Sequence, residues 1–183
     1  MKIADIISSR WSPRAFTDDS LTEEDINSLF EAARWAPSSM NEQPWRYIYA
    51  RKEDAENFAE LLDCLVPGNQ EWARNASVLI LSIARRNFDY KNLPNRHAIH
   101  DLGAANLLIC LQANEMGFQA HQMGGFNMNK TLEKFSLESD KYEPVSFIAV
   151  GKEGDATSLP EDLRQREIAP RKRKSLNEIF LRN

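Results

Sequence analysis

Apolar residues at Ile26, Leu29, Phe30 and Ala33 fall at i, i+3, i+4 and i+7, the spacing that gathers side chains on one face of a helix. Thr22 precedes that run, and Glu23, Glu24 and Asp25 fill its first turn, where carboxylates offset unpaired backbone N–H groups. Pro37 stops it. The period then changes to two: Trp45, Tyr47 and Tyr49 alternate with other residues, which predicts a half-buried strand over 45–50. Residues 52–65 read as an exposed amphipathic helix ended by a Pro67-Gly68 turn. Residues 78–84 are apolar but for Ser82, as in a strand covered on both faces.

The longest helical signal runs over 98–116. Leu102, Ala105, Leu108, Ile109 and Ala113 mark one side, while Ala104, Leu107 and Leu111 make the other side apolar too. A helix apolar nearly all round is buried by more than one neighbour, and a domain of this size has little interior for it. Part of its surface is therefore expected to meet a second copy of the chain; a central core helix in a monomer is the alternative. Gly117 stands where a left-handed cap would end it. Residues 145–150 form another buried strand closed by Gly151, and Ser175-Leu176-Asn177-Glu178 is a capping box that opens a short last helix through Phe180. Helices and strands interleave, which predicts an α+β fold with a mainly antiparallel central sheet flanked by helices, residues 1–183 forming one domain.

Composition narrows the function. At 183 residues with 42% hydrophobic content, the chain can fill one core. Its net charge of −4 argues against a nucleic-acid partner. Cys64 and Cys110 lie in amphipathic or apolar stretches, which points to buried thiols in a reducing compartment. Lys2 and Asp5 interrupt the first nine residues, so no signal peptide is expected, and no apolar run approaches the roughly 20 residues of a membrane span. A cytoplasmic protein without a membrane partner is the expectation.

Two segments carry most of the candidate chemistry. Arg10-Trp11-Ser12-Pro13-Arg14 sets two guanidiniums and a hydroxyl in a proline-stiffened stretch, and Ala36-Pro37-Ser38-Ser39-Met40-Asn41-Glu42-Gln43-Pro44-Trp45 strings hydroxyls and amides along rigid turns. Fixed charge with many neutral donors and acceptors suits a ligand with an anionic tail and a polar aromatic ring, such as flavin mononucleotide (FMN). Arg171-Lys172-Arg173-Lys174 adds cations near the C-terminus. Gly124-Gly125 in His121-Gln122-Met123-Gly124-Gly125-Phe126 would let backbone approach a flat ligand after a strand. His97, His100 and Asp101 share a helix face but lack a fourth ligand, so no metal is expected. Cys110, mid-helix on an apolar face, is a poor nucleophile. Neither Gly-x-Gly-x-x-Gly after a strand nor Gly-x-x-x-x-Gly-Lys occurs, so a nucleotide donor has no dedicated motif.

In order and spacing these segments resemble the nitroreductase family of flavoproteins, whose members open with Arg-x-Ser-x-Arg and follow with Ala-Pro-Ser-x-x-Asn-x-Gln-Pro-Trp. The resemblance extends from Arg10 to Phe180. It implies a homodimer with FMN at the subunit interface. Arg10, Trp11, Ser12, Arg14, Arg171 and Arg173 would serve the phosphate end, with Lys172 and Lys174 pointing away. Pro37, Ser38, Ser39 and Asn41 would reach the flavin of the partner subunit, Gln43 supporting their turn, and Asn69, Met123, Gly124 and Gly125 would lie along the ring. Gly124 stands where the family often has an acidic residue, so an acidic side chain has no role here. The implied activity passes reducing equivalents from NAD(P)H to small electron-poor acceptors such as nitroaromatics or quinones, by a ping-pong mechanism with no side chain as acid or base. The alternative is a non-catalytic FMN-binding sensor or carrier, with Met123, Phe126 and Trp72 closing the space above the ring.

Overall fold

A computed structural model describes residues 2–181. The chain begins with α1 (Asp5–Ser9) and α2 (Glu23–Arg34), then β1 (Trp45–Arg51), α3 (Ala55–Cys64) and α4 (Pro67–Ala73). β2 (Val78–Arg85), α5 (Ala98–Glu115), β3 (Gln119–Met123), α6 (Met128–Lys134) and β4 (Tyr142–Gly151) follow, and α7 (Glu161–Ile168) and α8 (Leu176–Ile179) close it. The four strands form one antiparallel sheet, in keeping with the α+β expectation, and their order is β1-β2-β4-β3.

β2 and β4 are central, which explains why both read as apolar runs interrupted by one serine each, Ser82 and Ser146: each face of the sheet carries a core. On one face Phe58 and Leu61 of α3, Trp72 of α4 and Leu163 of α7 pack with Leu79, Leu81 and Phe147. On the other, Ile26 and Leu29 of α2 and Leu102 and Ile109 of α5 pack with Ile80 and Ile148. Both faces are thus roofed by helices, and only the edge strands β1 and β3 border solvent or loops.

Local chemistry sets the boundaries. Thr22 and Asp25 cap α2 reciprocally, Thr22 Oγ1 accepting the Asp25 N–H and the Asp25 carboxylate accepting the Thr22 N–H. Gly117, at φ +80°, ends α5 in the left-handed conformation. The Glu178 carboxylate accepts from the Ser175 N–H and hydroxyl at 2.8 Å each as α8 begins.

The structure corrects three expectations and shows which side of α5 a single chain leaves open. Pro67-Gly68 is the first turn of α4, because proline's fixed φ and missing N–H cost nothing at the first helical position. α3 starts at Ala55, held by the Asp54 side chain, so residues 52–54 belong to the preceding turn. His121-Gln122-Met123 lie within β3. α5 is buried on one side only: Leu102, Ala105, Ile109 and Ala113 face the sheet and α2, while Ile99, Gly103 and Leu107 form an exposed stripe. Short α1, α6 and α7 carry too little periodicity to be legible beforehand.

Candidate functional site

The arm of residues 10–14 runs beside the edge strand β3, and nearly all of its fastening comes from distant parts of the chain. Asn114, near the end of α5, donates to the Ile6 carbonyl (3.0 Å) and to Ser9 Oγ (2.7 Å), fixing α1 as the arm leaves it. The Trp11 N–H donates to Gln119 Oε1 (3.0 Å), and His121 Nδ1 donates to the Pro13 carbonyl (2.9 Å). His121 also packs its ring against Trp72, with centroids 4.6 Å apart. Burial holds its imidazole below the ordinary value, so the neutral ring with a proton on Nδ1 is the form that fits.

Cations collect here, with unequal freedom. Arg10 Nη1 donates to Ser12 Oγ (2.9 Å) on the arm itself. Arg14 is committed to Glu167 of α7, which accepts both its backbone N–H (2.7 Å) and its guanidinium (3.3 Å). Arg171 donates to the carbonyls of Arg10 (2.9 Å) and Ser8 (2.8 Å) and lies over the Trp11 ring at 5.5 Å. The structure gives Arg14 and Arg171 the work of holding the arm. Arg10 and the exposed Arg173, whose guanidinium donates to the Lys172 carbonyl (2.8 Å), retain donors for an incoming anion.

At the far end of β3 the two glycines divide their work. A methyl at Gly124 would meet nothing within 4 Å, so open space adjoins this backbone. A methyl at Gly125 would stand 2.7 Å from Asn69 Nδ2. The Gly125 carbonyl accepts from that amide (3.0 Å) and from the Val66 N–H (3.1 Å), which seats the turn on α4. Asn69 thus supports the turn. Met123 has its side chain in the core and can offer only backbone. Trp72 is likewise buried, and Phe126 packs on Phe147 at 5.3 Å, so the three side chains expected to fill space above a ring are used elsewhere.

The 37–43 loop lies at the start of β1, on the opposite edge of the sheet. Ser38 Oγ accepts the Gln43 N–H (3.0 Å), Gln43 Nε2 donates to the Asn41 carbonyl (3.2 Å), and Arg46 Nη1 donates to the Gln43 carbonyl (3.0 Å). Met40, Asn41 and Gln43 have φ of 54°, 56° and 53°, the left-handed region that side-chain-bearing residues seldom occupy. Two tertiary ties hold the loop down: the Ser39 N–H donates to Asp101 Oδ2 at 2.9 Å, and Glu42 Oε1 accepts the Asp89 N–H at 2.7 Å. Asp101 sits in the first turns of α5 and Asn114 near its end, which separates loop and arm by roughly 20 Å along that helix. Within one chain the arm and the glycine turn share β3, and the loop does not join them.

Asp101 was expected on a histidine face. His100 Nδ1 does lie 3.0 Å from Asp101 Oδ1, but among the described residues no three His, Cys, Asp or Glu side chains gather as metal ligands. Cys64 and Cys110 are both free and buried, and burial pushes both thiols up. No described helix is long and apolar enough to cross a membrane. Gln119, His121, Glu167 and Asp101 carry the architecture of the site without a sequence signal: each acts on a partner far away in the chain.

Comparison with known proteins gives a consistent result. The model of the nitroreductase family matches residues 7–152. A solved structure described as an oxidoreductase containing FMN is 35% identical, with a TM-score of 0.93 over 99% of this chain and 91% of its own. YdgI of Bacillus subtilis (strain 168), provisionally named an NAD(P)H nitroreductase, is 26% identical, covering 74% of this chain and 80% of its own. An uncharacterized 15.4 kDa protein of Mycolicibacterium smegmatis is 32% identical over 68% of this chain and 81% of its own. Because the family match runs from α1 to the last strand of the sheet, taking in the arm, the loop and the glycine turn, the chain belongs to the nitroreductase family.

Proposed function

We propose that this chain is an FMN-dependent oxidoreductase that takes reducing equivalents from NAD(P)H and passes them to small electron-poor acceptors such as nitroaromatics or quinones. One observation carries the reading: the arm with Arg10 and Ser12 and the open turn at Gly124 lie along a single edge strand, β3. The first offers charge-assisted donors suited to a phosphate, and the second offers uncovered backbone suited to a flat ring. FMN, when bound, supplies the redox chemistry, accepting from the nucleotide and donating to the acceptor in turn, which is the basis for ping-pong kinetics. The chain's own part is to bind, orient and leave one face accessible. Arg10 and Arg173 neutralise the phosphate, Ser12 adds a hydroxyl, Arg171 holds the arm against Trp11, and Asn69 holds the glycine turn. Met123 and Trp72 are buried in the core and Phe126 packs against it, which favours turnover over the sensor or carrier alternative.

The reading includes a homodimer in the cytoplasm, where two buried thiols stay reduced. Pro37, Ser38, Ser39, Asn41 and Gln43 belong to a loop on the far side of the sheet from β3, so a shared site would take them from a second copy. Trp35 and Met40 beside that loop are 75% and 84% exposed, and Ile99 and Leu107 continue the apolar surface along α5. Surface of this kind is expected to be covered.

Purified protein should be yellow and release about one FMN per subunit, and anaerobic NADH or NADPH should bleach it; colourless protein that takes up no added FMN defeats the proposal. Ligand that binds only the dimer stabilises it by mass action. Apoprotein diluted in a sedimentation experiment should therefore dissociate where the FMN-bound form remains dimeric. A monomer that binds FMN stoichiometrically overturns the shared site.

A further inference from the structure

From the geometry we infer that Asp101 is a positioning residue for the flavin site: its buried carboxylate, through the Ser39 N–H, fixes the 37–43 loop in the shape that contacts the ring. The inference rests on the proposed FMN site and adds a residue that lies outside the loop, the arm and the glycine turn.

Asp101 is 3% exposed although it follows the exposed His100 on the same helix. A carboxylate is expensive to bury, and it persists where both oxygens find donors. Here Oδ2 accepts the Ser39 N–H at 2.9 Å and Oδ1 lies 3.0 Å from His100 Nδ1. The loop it holds is conformationally demanding, with Met40, Asn41 and Gln43 all left-handed. Of its other ties, Ser38 Oγ with the Gln43 N–H and Arg46 with the Gln43 carbonyl join the loop to itself or to the strand directly after it, and Glu42 Oε1 accepts the Asp89 N–H (2.7 Å) from the segment after β2. They set its internal shape but not its position on α5. The Asp101–Ser39 bond alone among these joins the loop to α5, and it does so at the Ser38-Ser39 end, where a carboxylate acceptor makes it the strongest kind of hydrogen bond available to an N–H. Without it Ser38, Ser39 and Asn41 keep their local turn and lose their common orientation.

Charge and hydrogen bonding can be separated. Asp101→Ala removes both, whereas Asp101→Asn keeps an acceptor for Ser39 and removes only the charge. Binding of FMN and of riboflavin to wild type and to both variants is measured by fluorescence titration, and the midpoint potential of bound flavin is read for each. Asp101→Ala should weaken FMN and riboflavin alike by more than about tenfold, because the ring end is affected and the phosphate end is not. Asp101→Asn should recover most of that loss and titrate at a more positive potential, since a negative charge near the ring disfavours the reduced cofactor. Wild-type binding by Asp101→Ala, a loss confined to FMN, or equal weakness in both variants overturns the inference. If Asp101→Ala does not fold, Asp101→Asn decides by its potential, an unchanged value being the overturning result. Wild-type protein that binds no FMN defeats the cofactor reading itself; FMN-binding wild type with indifferent variants defeats only the role of Asp101.

Discussion

The arm and the loop, the two segments richest in candidate ligands, are held in opposite ways. The 10–14 arm makes few bonds to itself and is fastened by Gln119, His121, Glu167 and Arg171, more than 100 residues away in sequence. The 37–43 loop bonds mostly to itself and to the adjoining strand, with strained backbone angles and two distant ties, Ser39 to Asp101 and Glu42 to Asp89. A phosphate needs several cations converging on one place, and chain crossing supplies that convergence. A ring edge needs donors and acceptors at short fixed spacings, which a tight turn supplies locally. The contrast predicts that damage to the arm discriminates between FMN and riboflavin, while damage to the loop does not.

The largest expected effect tests how the arm is fastened. Glu167→Ala leaves the mostly buried Arg14 guanidinium and N–H without their acceptor, and breaking such a pair costs about 3 kcal/mol of stability. Thermal and urea melts measure it, and unchanged melts would mean that the arm does not depend on α7. Next come the anion contacts. Arg10→Ala and Arg173→Ala should each lower FMN affinity by about 1.5–3 kcal/mol while sparing riboflavin. Equal losses for the two ligands would move these arginines away from the phosphate.

Ser38→Ala probes the loop by leaving the Gln43 N–H without its acceptor, at a cost of about 1 kcal/mol. FMN and riboflavin should weaken together, and a difference between them would erase the contrast with the arm. The smallest effect is a pH dependence. His121 is held below its ordinary 6.5 by burial, so the unfolded chain binds a proton that the folded one resists. Its stabilising contribution is complete above about pH 6.5 and is lost as pH falls through the lowered value. His121→Gln should flatten that component when melting is compared at about pH 7.5 and 5.5; identical slopes would show that His121 does not couple the arm to acid.

The sequence by itself determined whatever depends on neighbours along the chain. The period of 3.6 over α2, the capping pair Thr22 and Asp25, the apolar runs of β2 and β4 and the left-handed end at Gly117 were all legible, because each is set within a few residues. So was the turn-forming character of residues 38–43. What the tertiary structure alone decided is partnership. That Pro67 opens a helix depends on the chain continuing past it, and that Met123 turns inward depends on Phe147 and the core behind β3. That Arg14 engages Glu167, and Arg171 the carbonyls of Ser8 and Arg10, is likewise set by where the chain crosses itself. Asp101 looked like part of a histidine face until Ser39 was found against it. Periodicity reports which side of an element faces inward; it carries no record of which distant residue waits there, because that is set by how the strands are ordered and where the loops cross.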